Sequence, residues 1–337
     1  MKIALTYNLK KEVQKTEGLP EDFYAECDDI ETVEAVRDAL LERHSDVAMI
    51  EADEDAFEKL RRLKPELVFN MAEGVWGESR ESHLPAMMEM LRIPYTGSAP
   101  LTLALCLNKA RAKEILAHYG IPTARFLLAR DNAVDIEKYL SFPMIVKPAL
   151  EGSSKGIKND SIVANPSDLK RKVRSLIDEY RQPALVEEYL SGREFTVAMI
   201  GNGGSLKVLP IVEINYSSLP EGINHIYSYE AKWVLDRPEA PLNIFKCPAE
   251  IPERLKKAIE SVSIDAFRAL DVRDWCRIDV RLDAAGVPHV IELNPLPGIL
   301  MDPNCNSCFP KAARAAGMSF TELVNSVLDA ARERYGI

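Results

Sequence analysis

Two short segments of this 337-residue chain carry residues suited to chemistry: Arg277-Ile-Asp279-Val-Arg-Leu and His289-Val-Ile-Glu292-Leu-Asn294-Pro, separated by Asp283-Ala-Ala-Gly286-Val-Pro288. Both alternate polar with apolar residues around a Gly- and Pro-containing turn, which predicts the two strands of a hairpin. If Leu282 pairs with His289, Asp279 faces Glu292 and Arg277 faces Asn294 on one side of the sheet. Two carboxylates directly opposite repel unless a cation sits between them. Hard oxygen donors beside an arginine suit one or two Mg2+ ions carrying nucleotide phosphates. A charged, solvated face is the alternative for any isolated pattern of this kind.

Two further segments bear on that choice. Lys147 ends an apolar strand and is followed by Glu151-Gly152-Ser153-Ser154-Lys155-Gly156, small residues that let backbone amides approach phosphate oxygens closely. No G-x-x-x-x-G-K-[ST] pattern occurs, so this is not a P-loop. The run Ala184-Leu-Val-Glu187-Glu188-Tyr189-Leu190-Ser191-Gly192-Arg193-Glu194-Phe195-Thr196 reads strand, turn, strand. An edge backbone there can read adenine and a carboxylate can hold ribose hydroxyls.

The elements that must position these residues begin with strands over 3–7, 47–50 and 67–70 alternating with helices over about 30–43 and 55–62, the first opened by a capping box at Asp28-Asp29-Ile30-Glu31. Such alternation implies a parallel, doubly wound unit. Its first turn, Tyr7-Asn8-Leu9-Lys10-Lys11, lacks glycine and does not suit a dinucleotide. A helix from Thr102 carries Asn108-Lys109 and closes at Gly120; a strand over 125–128, a helix near 133–139, a strand over 144–147, a helix from Pro166 and a strand over 184–187 follow. Then come a strand-rich stretch, a helix over 252–270, the hairpin, and a last helix from Ser319 with Glu322 completing a capping box.

The net charge of -10, with interspersed signs, argues against a nucleic-acid surface. No stretch is apolar enough to span a bilayer, and the N-terminus does not read as a secretory signal. Six scattered Cys fit a reduced cytoplasmic interior.

The lysines, the Glu-Gly-Ser-Ser loop, Val186-Glu-Glu-Tyr-Leu-Ser-Gly-Arg-Glu-Phe-Thr196, Arg277-Ile-Asp279 and Glu292-Leu-Asn-Pro-Leu-Pro-Gly298 resemble, in order and spacing, the D-alanine–D-alanine ligase branch of the ATP-grasp superfamily. The similarity covers roughly residues 90–337, including Ile93-Pro94-Tyr95-Thr96-Gly97-Ser98 and the tail 311–320. It implies an α/β fold, α+β in its C-terminal part: a doubly wound parallel-sheet domain over 1–100, a small central ATP-binding subdomain over 101–187 and a C-terminal metal-binding subdomain over 188–337.

The resemblance implies ATP and two Mg2+ as cofactors, Mn2+ being an admissible substitute, with amino acids as small-molecule substrates and a homodimer. On it, Lys109 and Lys147 hold phosphates under the loop of Glu151, Ser153 and Ser154; Glu187 and the backbone of Glu188, Tyr189 and Leu190 face adenine; Glu194 takes the ribose. Asp279, Glu292 and Asn294 bind the metals. Lys232 reaches the phosphate from a mobile loop, and Arg277, with the backbone around Gly298, stabilises the acyl phosphate and the tetrahedral intermediate. The implied reaction activates a carboxylate with ATP for attack by an amine. This chemistry needs positioned phosphates and charge cancellation rather than a covalent nucleophile.

The substrate side departs from the family. The usual Gly-Gly-x-Ser-x-Glu turn, whose acidic residue anchors the first D-alanine's amino group, is absent; Glu12, Glu17, Glu21 and Glu26 lie in its place, and nothing chooses among them. Glu73 and Arg80, in the altered segment 69–81, are candidate substrate contacts or loop pins. Trp233 stands where a tyrosine or histidine sets the second substrate, and Pro303 where a hydroxyl residue belongs; Asp302, Asn304 and Asn306 are candidate polar contacts. Cys305-x-x-Cys308 has no matching second pair for zinc, and the five His are scattered. The reading is an ATP-dependent carboxylate–amine ligase that forms a D-alanyl-D-alanine-like dipeptide; its alternatives are the same chemistry on other amino acids or a modified acid, and an ATP-binding sensor without catalysis, against which the complete set Arg277, Asp279, Glu292 and Asn294 argues.

Overall fold

A computed structural model describes residues 1–11, 18–131, 135–236 and 242–337, with Trp233 described through its backbone alone. Glu12 and Glu17 therefore lie outside the described residues, as does the side chain of Trp233. The first unit runs β1 (Lys2–Tyr7), α1 (Ile30–Leu41), β2 (Asp46–Glu51), α2 (Ala56–Leu63), β3 (Leu67–Asn70) and α3 (Arg80–Leu91). Its parallel sheet has the order β2-β1-β3, as alternating strands and helices predict. The capping box expected at 28–31 does not form: Asp29 is the N-cap of α1 but its side chain accepts nothing. The entering chain is fixed instead by a bridge in which Asp28 N–H donates to Asn8 O at 2.8 Å and Lys10 N–H donates to Asp28 O at 2.9 Å.

The second unit follows with α4 (Pro100–Leu107), α5 (Lys109–His118), β4 (Phe126–Ala129), β5 (Met144–Pro148), β6 (Ile162–Val163), α6 (Pro166–Tyr180) and β7 (Ala184–Glu188). The single helix expected from Thr102 to Gly120 is two. Asn108 takes an extended backbone, ending α4, and its side chain caps α5 by accepting from Arg111 N–H at 3.2 Å. The break places Lys109 in the first turn of α5. Of the helix expected near 133–139, the described part is a single 3-10 turn, Ile136–Lys138. The sheet β4-β7-β5-β6 is antiparallel and encloses its own apolar core with α6, from Ala129 to Val186.

The last unit contains β8 (Glu194–Ile200), β9 (Lys207–Val208), β10 (Val212–Ile214), β11 (Phe245–Lys246), α7 (Glu253–Ala269), β12 (Trp275–Leu282), β13 (Pro288–Asn294), α8 (Cys308–Ala315) and α9 (Phe320–Tyr335). Its sheet has the order β11-β10-β8-β12-β13, with β9 beside β8. The capping box of α9 forms as spaced, Ser319 and Glu322 exchanging bonds. The first and last units share one core: Ile3, Leu5 and Phe69 of the parallel sheet pack in the cluster that contains Trp275, Phe309 and Val327. Among the described residues no helix is long and apolar enough to cross a membrane.

Candidate active site

A cavity of about 290 Å³ is walled by residues of all three units, among them Lys147, Arg277, Asp279, Glu292 and Asn294. Strands β12 and β13 bring Arg277 opposite Asn294 and Asp279 opposite Glu292, the pairing that the alternation predicts. The premise behind it is corrected, however: Leu282 faces Pro288, and His289 faces Arg281. Ile291 is bulged out between the two registers, and this extra residue restores the predicted pairing at the cavity end.

Arg277 forks onto Asp279, both contacts at 3.0 Å, and Asn294 Nδ2 donates to Asp279 Oδ2 at 3.1 Å. Lys109 Nζ lies 3.3 Å from Glu292 Oε2. Burial alone would raise the Glu292 carboxyl, but Lys109, Lys147 and Arg277 outweigh it and hold it down at about 2. Both opposed carboxylates are thus turned toward cations, and two carboxylates with one amide are a donor set that Mg2+ accepts when phosphate and water complete its shell. Among the described residues no group of three or more His, Cys, Asp or Glu could by itself hold a metal, so the nucleotide would have to supply the remaining ligands.

Lys147 and Glu187 are buried and 2.5 Å apart, and the other oxygen of Glu187 meets Lys113, one turn beyond Lys109, at 2.5 Å. Burial opposes charge on Glu187, yet Lys113 and Lys147 lower its pKa; on Lys147 the attraction of Glu187 and Glu292 likewise overcomes burial and raises it. Glu187 is therefore a strut that aims a charged Lys147 along the cavity wall. Glu188 accepts from Arg125 at 3.1 Å and from Ser141 N–H at 2.9 Å. Glu188 ends β7, Tyr189 and Leu190 open the connector into β8, and none of the three lines the cavity. Glu194 lines the cavity and takes Arg281 at 2.8 Å, while Arg281 also donates to the Tyr189 hydroxyl at 2.7 Å. Arg281 was not among the sequence candidates, although the alternation that selects Arg277 and Asp279 puts it on the same face. Lys113 was missed likewise, although it follows Lys109 by four residues on a helix.

The loop 151–156 is shaped by left-handed backbone at Ser153, Ser154 and Gly156. Two carboxylates from the segment before α1 hold it. Glu26 accepts from Gly152 N–H at 2.6 Å, from Arg80 at 2.7 Å and from Lys155 at 3.0 Å; Asp22 accepts from Gly156 N–H at 2.9 Å and from the Tyr180 hydroxyl at 2.6 Å. Of the two described glutamates among the four candidates, Glu26 and not Glu21 is the one that holds the loop, and Arg80 is a pin for it, donating also to Leu150 O at 2.9 Å. Glu151 is tied to Lys155, Arg80 and Gln182, its backbone oxygen to Lys109 Nζ. Ser153 and Ser154 line the cavity, and the Ser154 hydroxyl donates to Tyr227 O at 2.8 Å.

Lys232, on the π-helical turn Glu230–Leu235, lines the same cavity; burial and then Arg277 push its pKa down to about 8. Gly298 lines it too and accepts from the Ser307 hydroxyl at 3.0 Å. Asn306 and Cys308 also reach the wall, but Asp302 does not: it is exposed and accepts from Asn304 N–H at 2.8 Å. Glu73 and Glu81 line the cavity at its N-terminal side.

Parallel and antiparallel sheets close on a lysine-rich cavity beside an Asp–Glu–Asn set, the arrangement that the ATP-grasp resemblance implies. Residues 115–329 match the family described as D-ala D-ala ligase C-terminus. The chain is 31% identical to a D-alanine–D-alanine ligase of Pelotomaculum thermopropionicum over 318 residues, 91% of this chain and 93% of the relative. It is 33% identical to that of Bordetella petrii over 298 residues, 88% and 85% of the two chains, and 37% identical to the uncharacterized protein y4sG of Sinorhizobium fredii over 305 residues, 88% and 86%. The structure of the Bacillus anthracis D-alanine–D-alanine ligase complexed with ATP superposes with a TM-score of 0.73 at 22% identity, covering 100% of this chain and 99% of that one. The chain belongs to the D-alanine–D-alanine ligase family and is an ATP-dependent ligase.

Proposed function

We propose that the protein joins the carboxylate of one amino acid to the amine of a second, with D-alanine the first substrate to test for both. The terminal phosphoryl group of ATP passes to a carboxylate oxygen, ADP departs, and the amine nitrogen then attacks the acyl carbon with loss of phosphate and a proton. Lys109 and Lys147 would hold phosphates, Glu194 the ribose, and the backbone of 188–190, which Arg281 ties to Glu194 through the Tyr189 hydroxyl, the adenine at the cavity's edge, with Ser153 and Ser154 covering the phosphates from the loop. Asp279, Glu292 and Asn294 would hold Mg2+, which offsets phosphate charge when bound. Arg277 and the backbone near Gly298 would face the developing negative charge at the acyl centre, and Lys232 would add a cation from its turn. The observation that carries the reading is the opposition of Asp279 and Glu292 among Arg277, Lys109 and Lys147: an oxygen set and a cation set converging on one cavity.

ATP use and six free thiols suit the cytoplasm, and a homodimer follows the family resemblance. The reading of other amino acids or a modified acid as substrate keeps a specific support: Glu26, from the segment that replaces the family's amine-anchoring turn, is fully engaged by Arg80, Lys155 and Gly152. The test is ADP release with ATP and Mg2+ on D-alanine alone, then on a panel of D- and L-amino acids, with products weighed by mass spectrometry. Turnover that vanishes without Mg2+ is expected; silence on every acid would leave the ATP-sensor reading.

A further inference from the structure

Two carboxylates on the N-terminal side of the cavity stand outside its ion pairs. Arg80 and Lys155 are both shared between Glu26 and Glu151, two cations with two anions. Glu73 and Glu81 stand beside this closed set. Both line the cavity, and neither has a hydrogen-bond or ion-pair partner among the described residues. Glu81 is only 9% exposed. An ionised carboxylate buried to that degree without a partner is costly, and the cost falls away when a cation arrives. Burial, with Glu26 close by, pushes the Glu81 carboxyl up to about 7 despite Arg80, and burial with Glu26 and Glu81 raises Glu73 well above the usual range.

The local backbone is built to bring these two residues to one place. Gly74 adopts φ +72 and lies so close to the Arg80 carbonyl that a Cβ there would sit 2.5 Å from its oxygen. Gly74 N–H is also held by Asn8 Oδ1 at 2.8 Å. The turn therefore folds back on the first turn of α3, so that Glu73, before the glycine, and Glu81, after the arginine, flank one contact. Two unpaired carboxylates on the wall of the cavity that takes the amino-acid substrate suit an ammonium group, which each can meet with a charge-assisted hydrogen bond.

We propose that Glu73 and Glu81 together bind the ammonium group of the acid substrate, Glu26 being engaged by the loop, and so restrict this ligase to amino acids over their uncharged hydroxy counterparts. The inference rests on the ligase reading. The Glu81→Gln and Glu73→Gln variants are each assayed for ADP release with amino acids and the matching 2-hydroxy acids, Glu81→Asp serving as the conservative variant. The expected result is a fall in kcat/KM for the amino acid of about 10- to 100-fold, the loss of a hydrogen bond to a charged group. KM for ATP stays within about twofold, hydroxy acids are not impaired, and Glu81→Asp recovers part of the loss. Equal use of hydroxy and amino acids by the unaltered protein, or an equal loss for both in Glu81→Gln, would overturn the proposal. If no acid gives turnover, the ligase reading fails separately. Calorimetric binding of amino-acid amides at pH 8 then decides: saturable binding lost in Glu81→Gln supports the cation site, and no binding to the unaltered protein overturns it.

Discussion

Glu292 sits among three cations and opposite Asp279, so its charge is the pivot on which oxygen donors and lysines balance. Glu292→Gln keeps the shape and removes the charge. ADP release is expected to fall by roughly two to three orders of magnitude, the range for losing one well-placed electrostatic partner, while the melting profile keeps a single transition. Lys232 gives a separate handle. Its pKa is pushed down to about 8 by burial and by Arg277, so in the free enzyme it is charged below that pH and loses its proton above it. Because kcat/KM reports the free enzyme, kcat/KM for ATP is expected to decline as pH rises through about 8. A Lys232→Met variant would be low and flat over that interval; an unchanged alkaline limb in the variant would assign the decline to another group. Arg277, Asp279, Glu292 and Asn294 could be chosen from spacing alone because a strand's period of two fixes which residues share a face. Glu26 could not be, since its position depends on a loop 126 residues away.

At the scale of elements, the bulge at Ile291 and the break at Asn108 decide where charges point. The bulge carries no signal in the sequence. The bulge left the predicted register correct at the cavity end while the turn end slipped by one residue, because two errors of one residue cancelled. The break at Asn108 was masked by helical composition on both sides, although Asn is a favoured cap and its signal lay in the sequence. Asn108→Ala removes the acceptor for Arg111 N–H and favours a continuous helix through Lys109. We expect a loss of about 1 kcal/mol in denaturant unfolding and a severalfold rise in KM for ATP, as Lys109 turns from Glu292. Gly192 is a second such position: a Cβ there would sit 2.6 Å from the Leu282 oxygen, to which Gly192 N–H donates at 3.0 Å. Gly192→Ala is expected to push the β7–β8 connector off β12 and to loosen the Arg281 contacts at Glu194, read as weaker nucleotide binding in a titration.

On the scale of the whole molecule, the first and last units behave as one body because they share a core, whereas the central sheet encloses its own. Asp274 is the polar bolt of the shared body. Fully buried, it accepts from Gly97 N–H at 2.8 Å, from Asn202 at 2.8 Å and from Arg334 of α9 at 2.7 Å, and Arg334 in turn donates to Tyr95 O at 2.8 Å. Removing the carboxylate leaves a partly buried guanidinium and a buried amide without their acceptor, which costs about 3–5 kcal/mol in comparable buried pairs. Asp274→Ala should therefore lower the denaturant midpoint strongly, and hydrogen exchange should show where. The sheet β2-β1-β3 and helix α9 should lose protection together, since neither retains its shared apolar face alone. Strands β5 and β7 should keep theirs, because their core contains no residue of the shared cluster. Uniform loss of protection across all three sheets would mean that the central sheet depends on the shared body, and that the cavity between them closes by local loop movement rather than by motion of one body against another.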